Sequence, residues 1–531
     1  MSINAVRPPA NKWLVTVAVS AGTLMGALDA SIITVALPQI RGALGATVQE
    51  STWASTSFIV ATAVVLPLTG FIGRLFGQKR AYLASLALFI VSSGLCGLSW
   101  SLPSLVFFRA LQGIGAGALT PTELAILRRT FPAHEQGMAM ALFTTVIVAG
   151  PTIGPVLGGY LVDHFAWSWI FFINLPIGVM GFIMVWYFVD EPEEARLPRQ
   201  AEPALRPGQL DWGGLALLTL GLALLQYVLE EGQRHDWFDS GRISLLSGAA
   251  LLCLVAFVLR ELHARVPIVD LRVFQEPVFC SGALIGVIVY SVVTANMFLL
   301  PIFMQEVLGF TATQAGSALI PRTLVMMVMM PIVGRFYGRL STRGLVVVGL
   351  LINGLGVYAV SGVSLDTGTN NILLPLGLQG LGASLVFVPL NTVIFTHVPQ
   401  QRMADAAGVN LMMRHVGSSL ALAGFALLLP RFAEQARQAI LMSLNVERTE
   451  VLERLAQLQS GLMGSGLEAS TAQEASRHLL EHTTLRQAMV IAFDQLFLLS
   501  ALLFVVTVPL LLLLRAPPGR AQPAPLHLRE E

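Results

Sequence analysis

The stretch that decides the fold is WLVTVAVSAGTLMGALDASIITVAL, residues 13–37. It runs 25 residues with one charge, Asp29. A bilayer core of about 30 Å needs roughly 20 apolar residues in a helix. A cleaved leader has an apolar core of only about 7–15. The stretch therefore reads as a retained membrane span. Thirteen more segments of this kind follow, near 53–73, 81–101, 103–127, 138–161, 167–189, 211–230, 242–260, 278–301, 312–336, 344–364, 371–395, 406–430 and 490–514. The expected fold class is an all-α polytopic membrane protein with 14 transmembrane helices. No alternating strand pattern repeats, which argues against a transmembrane barrel.

Composition agrees. Of 531 residues, 55% are hydrophobic and 12% charged, against about 25% charged in soluble domains. The mean hydropathy is +0.71. These values exclude a soluble enzyme and a disordered chain. The net charge of +1 offers no basic surface to nucleic acid. Cys96, Cys253 and Cys280 lie in apolar runs with no metal-ligand spacing, so neither a metal site nor a disulfide framework is expected. The two lysines, Lys12 and Lys79, do not follow a glycine. A phosphate-binding GxxxxGK loop is therefore excluded, and no cofactor is expected.

An even number of spans puts both termini on one side, and basic residues choose the side. With the termini inside, twenty basic residues face the cytoplasm, while the short outer loops hold three, Arg41, Arg234 and Arg242. Residues 190–210, rich in Pro, Glu and Arg, read as a cytoplasmic linker. Residues 431–486 read as a long outward loop. In it Val451, Leu452, Leu455 and Leu458 recur at helical spacing, which predicts a short helical hairpin. That loop is either a solvated connector or a docking surface. A faint repeat is visible: Pro67-x-x-Gly70 and Pro331-x-x-Gly334 each close a span just before a basic loop. Two six-helix bundles with two inserted helices produce that register. Residues 1–189 then form the first bundle, 211–260 the insertion, 261–515 the second bundle and 516–531 a cytoplasmic tail.

Charges inside spans cost about 2.5–3.5 kcal/mol at mid-bilayer on insertion scales, so they invite a functional reading. Asp29 lies about 6 Å outward of the middle of the first span, and Arg109 about 9 Å outward in the fourth. Their depths allow a contact. A carboxyl that loads and releases a proton is what a proton-driven carrier needs; a structural ion pair is the alternative. Glu123, in the inner third of the fourth span, either attracts a cationic substrate or pairs with Arg128 and Arg129. Arg322 lies mid-span, and Arg414 and His415 lie in the inner half of the thirteenth. An arginine at such depth belongs in a cavity or an interhelical pair. Asn296 and Phe298 join these residues in the expected substrate cavity. Asp494, near the outer end of the last span, is explained by snorkelling to water.

Small residues complete the pattern. Gly113 and Gly117 make a GxxxG step in RALQGIGAG, residues 109–117, and Gly150, Gly154 and Gly158 share one face of GPTIGPVLGG, residues 150–159. Such spacing lets backbones approach closely, and Pro151 and Pro155 favour bends. A close-packed, bendable pair formed by the fourth and fifth spans is expected.

Taken together, these stretches resemble the major facilitator superfamily, and within it the fourteen-helix drug/proton antiporters of EmrB/QacA type. LDASIITVALP (Leu28 to Pro38) is similar to that group's first-helix motif, and GFIGRLFGQKR (Gly70 to Arg80, with Gly70, Arg74 and Gly77) to the superfamily's loop motif. RALQGIGAG and GPTIGPVLGG resemble its fourth-helix and antiporter motifs. WSWIFFINLPIG (Trp167 to Gly178), DWF (Asp236 to Phe238) and PIVDLRVF (Pro267 to Phe274) look like the EmrB branch. The loop motif usually holds an acid where this chain has Arg74, so the acid-based latch on the inner gate is not expected here. The resemblance implies efflux of hydrophobic drugs driven by proton re-entry across a bacterial inner membrane, by alternating access. Asp29 and Arg109 are the implied proton-coupling pair. It also implies a periplasmic adaptor and an outer-membrane channel as partners, with 431–486 the candidate adaptor contact. Export of one metabolite, such as a siderophore or fatty acid, is the rival. A polytopic enzyme would need a catalytic constellation, and none is visible in the sequence.

Overall fold

The computed structural model describes residues 11–190, 211–235, 237–264, 267–363, 369–443, 449–465 and 467–512. The expected linker and C-terminal tail thus lie almost wholly outside the described residues. Fourteen helices are long and apolar enough to cross a membrane. They are α1 (Lys12–Leu44), α2 (Glu50–Phe76), α3 (Gln78–Gly97), α4 (Leu102–Thr130), α5 (Gln136–His164), α6 (Trp169–Phe188), α7 (Trp212–His235), α8 (Gly241–His263), α9 (Pro277–Val307), α10 (Gln314–Arg339), α11 (Thr342–Val360), α12 (Asn371–Ile394), α13 (Met403–Met442) and α14 (Ala469–Leu510). No strand occurs among the described residues.

Local chemistry sets several ends. The Thr47 hydroxyl and the Glu50 carboxylate cap each other's backbone N–H groups at the start of the second helix, which satisfies two otherwise orphan donors. The apolar run of the first span predicts an end near residue 37. Instead α1 runs past Pro38 to Leu44 and stops where Gly45 turns left-handed at φ 64°. A single proline removes one donor without ending a helix that its neighbours hold in place.

Helices α1–α6 form one six-helix bundle and α9–α14 the other, with α7 and α8 inserted. α7 packs on α2 of the first bundle and also on α13 of the second. Trp53 and Tyr227 stack 5.7 Å apart at the first contact, and Gln226 Nε2 donates to Ser419 Oγ at 3.0 Å at the second. α8 packs chiefly on α7.

The stretch 431–486 matches expectation in part: Val451, Leu452, Leu455 and Leu458 lie on a helix that folds back on the start of α14, but the flanking residues are helical rather than a long loop. α13 continues to Met442 and α14 already begins at Ala469. A further helix, Thr449–Gly464, packs against the start of α14. The 40 residues of α13 and 42 of α14 extend roughly 60 Å each, twice the hydrocarbon thickness. Residues 431–442 and 469–486 continue these two helices beyond the apolar layer.

Candidate functional site

Asp29 and Arg109 meet. Arg109 Nη1 donates to Asp29 Oδ2, and both side chains are wholly buried. The pair anchors a wider polar knot. Gln112 Nε2 donates to Asp29 Oδ1 at 2.9 Å, as does Asn174 Nδ2 at 3.2 Å. Arg109 Nη1 also donates to Gln112 Oε1 at 2.8 Å, and Arg109 Nε to the carbonyl of Ala54 at 2.8 Å. The guanidinium lies 4.2 Å from the centre of the Phe58 ring, a cation–π contact that is strong where water is absent. Asn174 in turn donates to Ser93 Oγ at 3.1 Å. One buried charge pair thereby ties α1, α2, α3, α4 and α6 together. Gln112 and Asn174 were not singled out in the sequence: a lone amide in an apolar run gives no depth signal of its own.

The glycines explain how α1 comes so close. A Cβ on Gly154 would stand 3.2 Å from the carbonyl oxygen of Leu28, and one on Gly150 only 2.7 Å from the Ala27 carbonyl carbon. Gly158 faces Ile32. The α5 ladder is therefore a seat for the segment of α1 that carries Asp29. Ser31 adds a hydrogen bond to the carbonyl of Gly150 at 3.2 Å, next to Pro151. α5 stays helical through both Pro151 and Pro155. Gly113 and Gly117 instead face α2, where a Cβ on Gly117 would meet Thr62 O and Val65 Cβ at 2.8 Å. The two ladders do not pack on each other, as the expected α4–α5 pair would require. Each serves a different neighbour, because the two glycine faces point to different sides of the bundle.

Glu123 does not pair with Arg128 or Arg129. It is fully buried and accepts a hydrogen bond from Ser20 Oγ at 2.8 Å, while its Oε2 has no hydrogen-bond partner. Arg128 reaches the other bundle, donating to the carbonyl of Phe395, and also donates to Gln136 Oε1 at 2.6 Å.

That contact belongs to a seam between the bundles. Arg74 pairs with Asp405 at the start of α13 and donates to the carbonyls of Pro267 at 3.0 Å and Ile268 at 3.2 Å. Gly70 is required beside them, since a Cβ there would lie 2.7 Å from Asp405 Cα. Gly77, at φ 83°, ends the second helix and starts α3. Gly334 faces Gly137, whose carbonyl oxygen would be 2.8 Å from an added Cβ. The two PxxG glycines thus occupy matching places, each where one bundle meets the other. Higher along α5, Thr144 accepts from Asn391 Nδ2 at 3.1 Å and Thr152 hydrogen-bonds Thr323 at 2.7 Å. The α5 side of the seam therefore runs from Gly137 to Thr152, the part of that helix nearest the preceding basic loop. The bundles are joined at the end that carries the arginine-rich loops. The ion pair Arg74–Asp405 crosses the seam with the arginine on the side of the loop motif and the acid on α13.

The remaining expected cavity residues are dispersed. Asn296 is buried and donates to the carbonyl of Val292 at 2.8 Å, whereas Phe298 is half exposed. Arg322 is buried in α10. Arg414 lies 4.0 Å from the centre of the Tyr290 ring. His415 Nε2 is buried without a hydrogen-bond partner.

Comparison with known proteins matches this architecture. The Major Facilitator Superfamily family model covers residues 19–422. The multidrug export protein EmrB of Haemophilus influenzae is 34% identical over 92% of this chain and 93% of its own length. The fatty acid resistance protein FarB of Neisseria gonorrhoeae is 32% identical, over 95% and 96% respectively. The solved proton:xylose symporter XylE shares the fold at a TM-score of 0.61 with 11% identity, covering 94% of this chain and 95% of its own. A fourteen-span transporter with two bundles joined along one seam, similar over nearly its whole length to EmrB, belongs to the EmrB-type branch of the major facilitator superfamily.

Proposed function

We propose that this protein exports hydrophobic and amphipathic drugs across a bacterial inner membrane in exchange for protons. The observation that carries this reading is the Asp29–Arg109 pair, a charge pair wholly withdrawn from water inside a transporter bundle. When the bundles rock, separation of the pair frees the carboxyl to take up a proton, and re-pairing expels it. Gly70, Arg74, Gly77, Gly113, Gly117, Gly150, Pro151, Gly154, Pro155 and Gly158 serve the packing and gating of that motion. Glu123, Asn296, Phe298, Arg322, Arg414 and His415 contribute to the substrate cavity. Across 100 mV, one proton supplies about 2.3 kcal/mol, which sustains roughly 1.7 decades of accumulation at 1.4 kcal/mol per decade. The arginine-rich end faces the cytoplasm on this reading, with both termini on that side.

The experiment is substrate-induced proton flux in proteoliposomes, wild type against Asp29→Asn. The variant should bind drug yet lose coupled proton movement. Undiminished flux in the variant overturns the coupling role.

In the same proposal the extended ends of α13 and α14, with the helix Thr449–Gly464, meet a periplasmic adaptor that leads to an outer-membrane channel. Deleting residues 445–466 should spare membrane insertion and abolish adaptor pull-down; retained pull-down refutes the assignment. Export of a single metabolite such as a fatty acid is the second reading, favoured by the similarity to FarB.

A further inference from the structure

The Asp29 knot holds an acceptor that no neighbour among the described residues uses. Asn174 is 1% exposed. Its Nδ2 donates to Asp29 Oδ1 at 3.2 Å and to Ser93 Oγ at 3.1 Å. Its Oδ1 is buried and has no hydrogen-bond partner. Buried polar atoms are nearly always paired, so an idle one calls for a reason. The surroundings fix which way the amide points. An ionised carboxylate only accepts. The Ser93 hydroxyl donates its own proton to the carbonyl of Phe171 at 2.9 Å, so toward Asn174 it accepts as well. Both neighbours therefore require the N–H side of the amide.

Asn174 belongs to WSWIFFINLPIG, residues 167–178. Pro176 lacks the N–H that would bond the carbonyl of Phe172, and α6 breaks at Ile173 into the pieces Trp169–Phe172 and Asn174–Phe188. Asn174 begins the second piece, which is seated on α1. A Cβ on Gly181 would stand 2.9 Å from Ala21 Cβ, and one on Gly178 3.2 Å from Met25 Cε. The other two donors to Asp29, Arg109 and Gln112, share about one turn of α4. A displacement of α1 from α4 takes both away together and leaves Asn174 with the carboxyl. The titratable groups around that carboxyl are Arg109 on α4 and Cys96 on α3, whose Sγ donates to Gln112 Oε1 at 3.5 Å. α2 contributes the Ala54 carbonyl and the Phe58 ring, and α5 its glycine ladder.

We propose that Asn174 is a positioning residue that serves Asp29 in both of its charge states. The inference rests on the proton-exchange reading of Asp29. With Asp29 ionised, Asn174 Nδ2 donates to its Oδ1. When Arg109 departs and a proton from water binds Asp29 Oδ1, that oxygen becomes a donor. A half-turn of the Asn174 amide then presents its idle Oδ1 to the new O–H. The Ser93 hydroxyl, which can give or take, follows by donating to the same Oδ1. The return of Arg109 expels the proton to water and reverses both rotations. An apolar side chain at 174 would leave the neutral acid without this acceptor.

The experiment reads the acid directly and needs no cargo. Infrared difference spectra between alkaline and acid pH are recorded on the full-length protein in membranes. The band of protonated Asp29 is the one missing from Asp29→Asn. In Asn174→Leu that band should move to higher frequency, as for an acid whose O–H has lost its acceptor. Asn174→Gln, which keeps an amide, should bring it back toward the wild-type position. Ser93→Ala, which removes only a hydroxyl, should shift it the same way as Asn174→Leu and by less, and it serves if Asn174→Leu fails to insert. A wild type without an Asp29 band, or a band unmoved in a folded Asn174→Leu or Ser93→Ala, overturns the proposal. In proteoliposomes, ethidium-induced proton flux should fall at least tenfold in Asn174→Leu and recover to within threefold of wild type in Asn174→Gln. Equal loss in both variants with the band in place would reduce Asn174 to packing and overturn the proposal. If Asp29→Asn keeps full flux, the exchange reading fails instead, and a shifted band still shows that the amide holds the acid.

Discussion

Arg74 and Asp405 are 331 residues apart in the chain and form an ion pair across the seam. Each belongs to a different bundle, and each sits where a backbone has come unusually near, at Gly70 on one side and at the start of α13 on the other. Asp405 is buried but Arg74 is 20% exposed, so removing the acid costs less than the roughly 3–5 kcal/mol of a wholly buried pair. Asp405→Asn should therefore separate the arginine-rich ends of the bundles. Spin labels at Phe76 and Gln400 would report a longer distance population than in wild type. The exchange Arg74→Asp with Asp405→Arg should recover much of the short population. A distance distribution unchanged by Asp405→Asn would show that the pair does not hold the seam.

The Asp29 knot makes a sharper energetic claim. Asp29→Asn and Arg109→Gln should each lower stability by about 3–5 kcal/mol, since each leaves an opposite group buried alone. The double variant should lose less than the sum of the two, with a coupling of about 1–3 kcal/mol. Thermal unfolding followed by tryptophan fluorescence would measure the cycle. Strict additivity would mean that the two side chains do not depend on one another.

Glycine at 154 is a steric requirement. Gly154→Val should destabilise by about 1–3 kcal/mol through overpacking against Leu28 and Ser31. Gly248→Val, where nothing lies within 4 Å of an added Cβ, should leave the melting temperature nearly unchanged apart from a small helix-propensity effect. Equal melting temperatures for the two variants would contradict the α1–α5 contact.

One acid outside the spans gives a pH prediction. Asp211 caps α7, accepting from the Gly214 N–H at 2.9 Å and from Arg260 Nε at 2.8 Å. The Arg260 hydrogen bonds, with help from that backbone N–H, hold its carboxyl below the usual carboxylate value. A lowered carboxyl stabilises the fold above the ordinary value near 3.9 and loses that contribution as pH falls through the lowered one. Stability from this cap should be flat near neutrality and fade in strong acid. Asp211→Ala should cost about 1 kcal/mol near neutral pH by loss of the cap and show a smaller decline between about pH 5 and 2. An identical acid decline in both proteins would remove Asp211 from the account.

Much of this was legible in the sequence because a membrane makes hydrophobic length and buried charge conspicuous. Every one of the fourteen spans could be found from length and apolarity, and depth counting alone put Asp29 within reach of Arg109. The PxxG repeat pointed to two places that the fold makes equivalent. What could not be read is anything set by rotation about a helix axis. Glu123 has Arg128 and Arg129 close in sequence, yet it turns toward Ser20 on α1, and Arg128 turns across the seam. The glycines of α4 and α5 have compatible spacing but face α2 and α1. The Arg74–Asp405 pair joins residues with no periodic or local relation. The continuation of α13 and α14 past the apolar layer was missed because its polar faces look like a loop when length is judged by apolarity.

Part of the seam is backbone against backbone, with Gly137 against Gly334 and Gly408 against the carbonyl of Leu66, beside the side-chain contacts Arg74–Asp405, Thr144–Asn391 and Thr152–Thr323. Those approaches exist because the residues are glycines, and any added Cβ there would collide with a facing carbonyl oxygen. Sequence drift is consequently tolerated least at these few positions, where nearly every point substitution would push two helices apart, and more freely wherever the bundles meet through side chains that can repack.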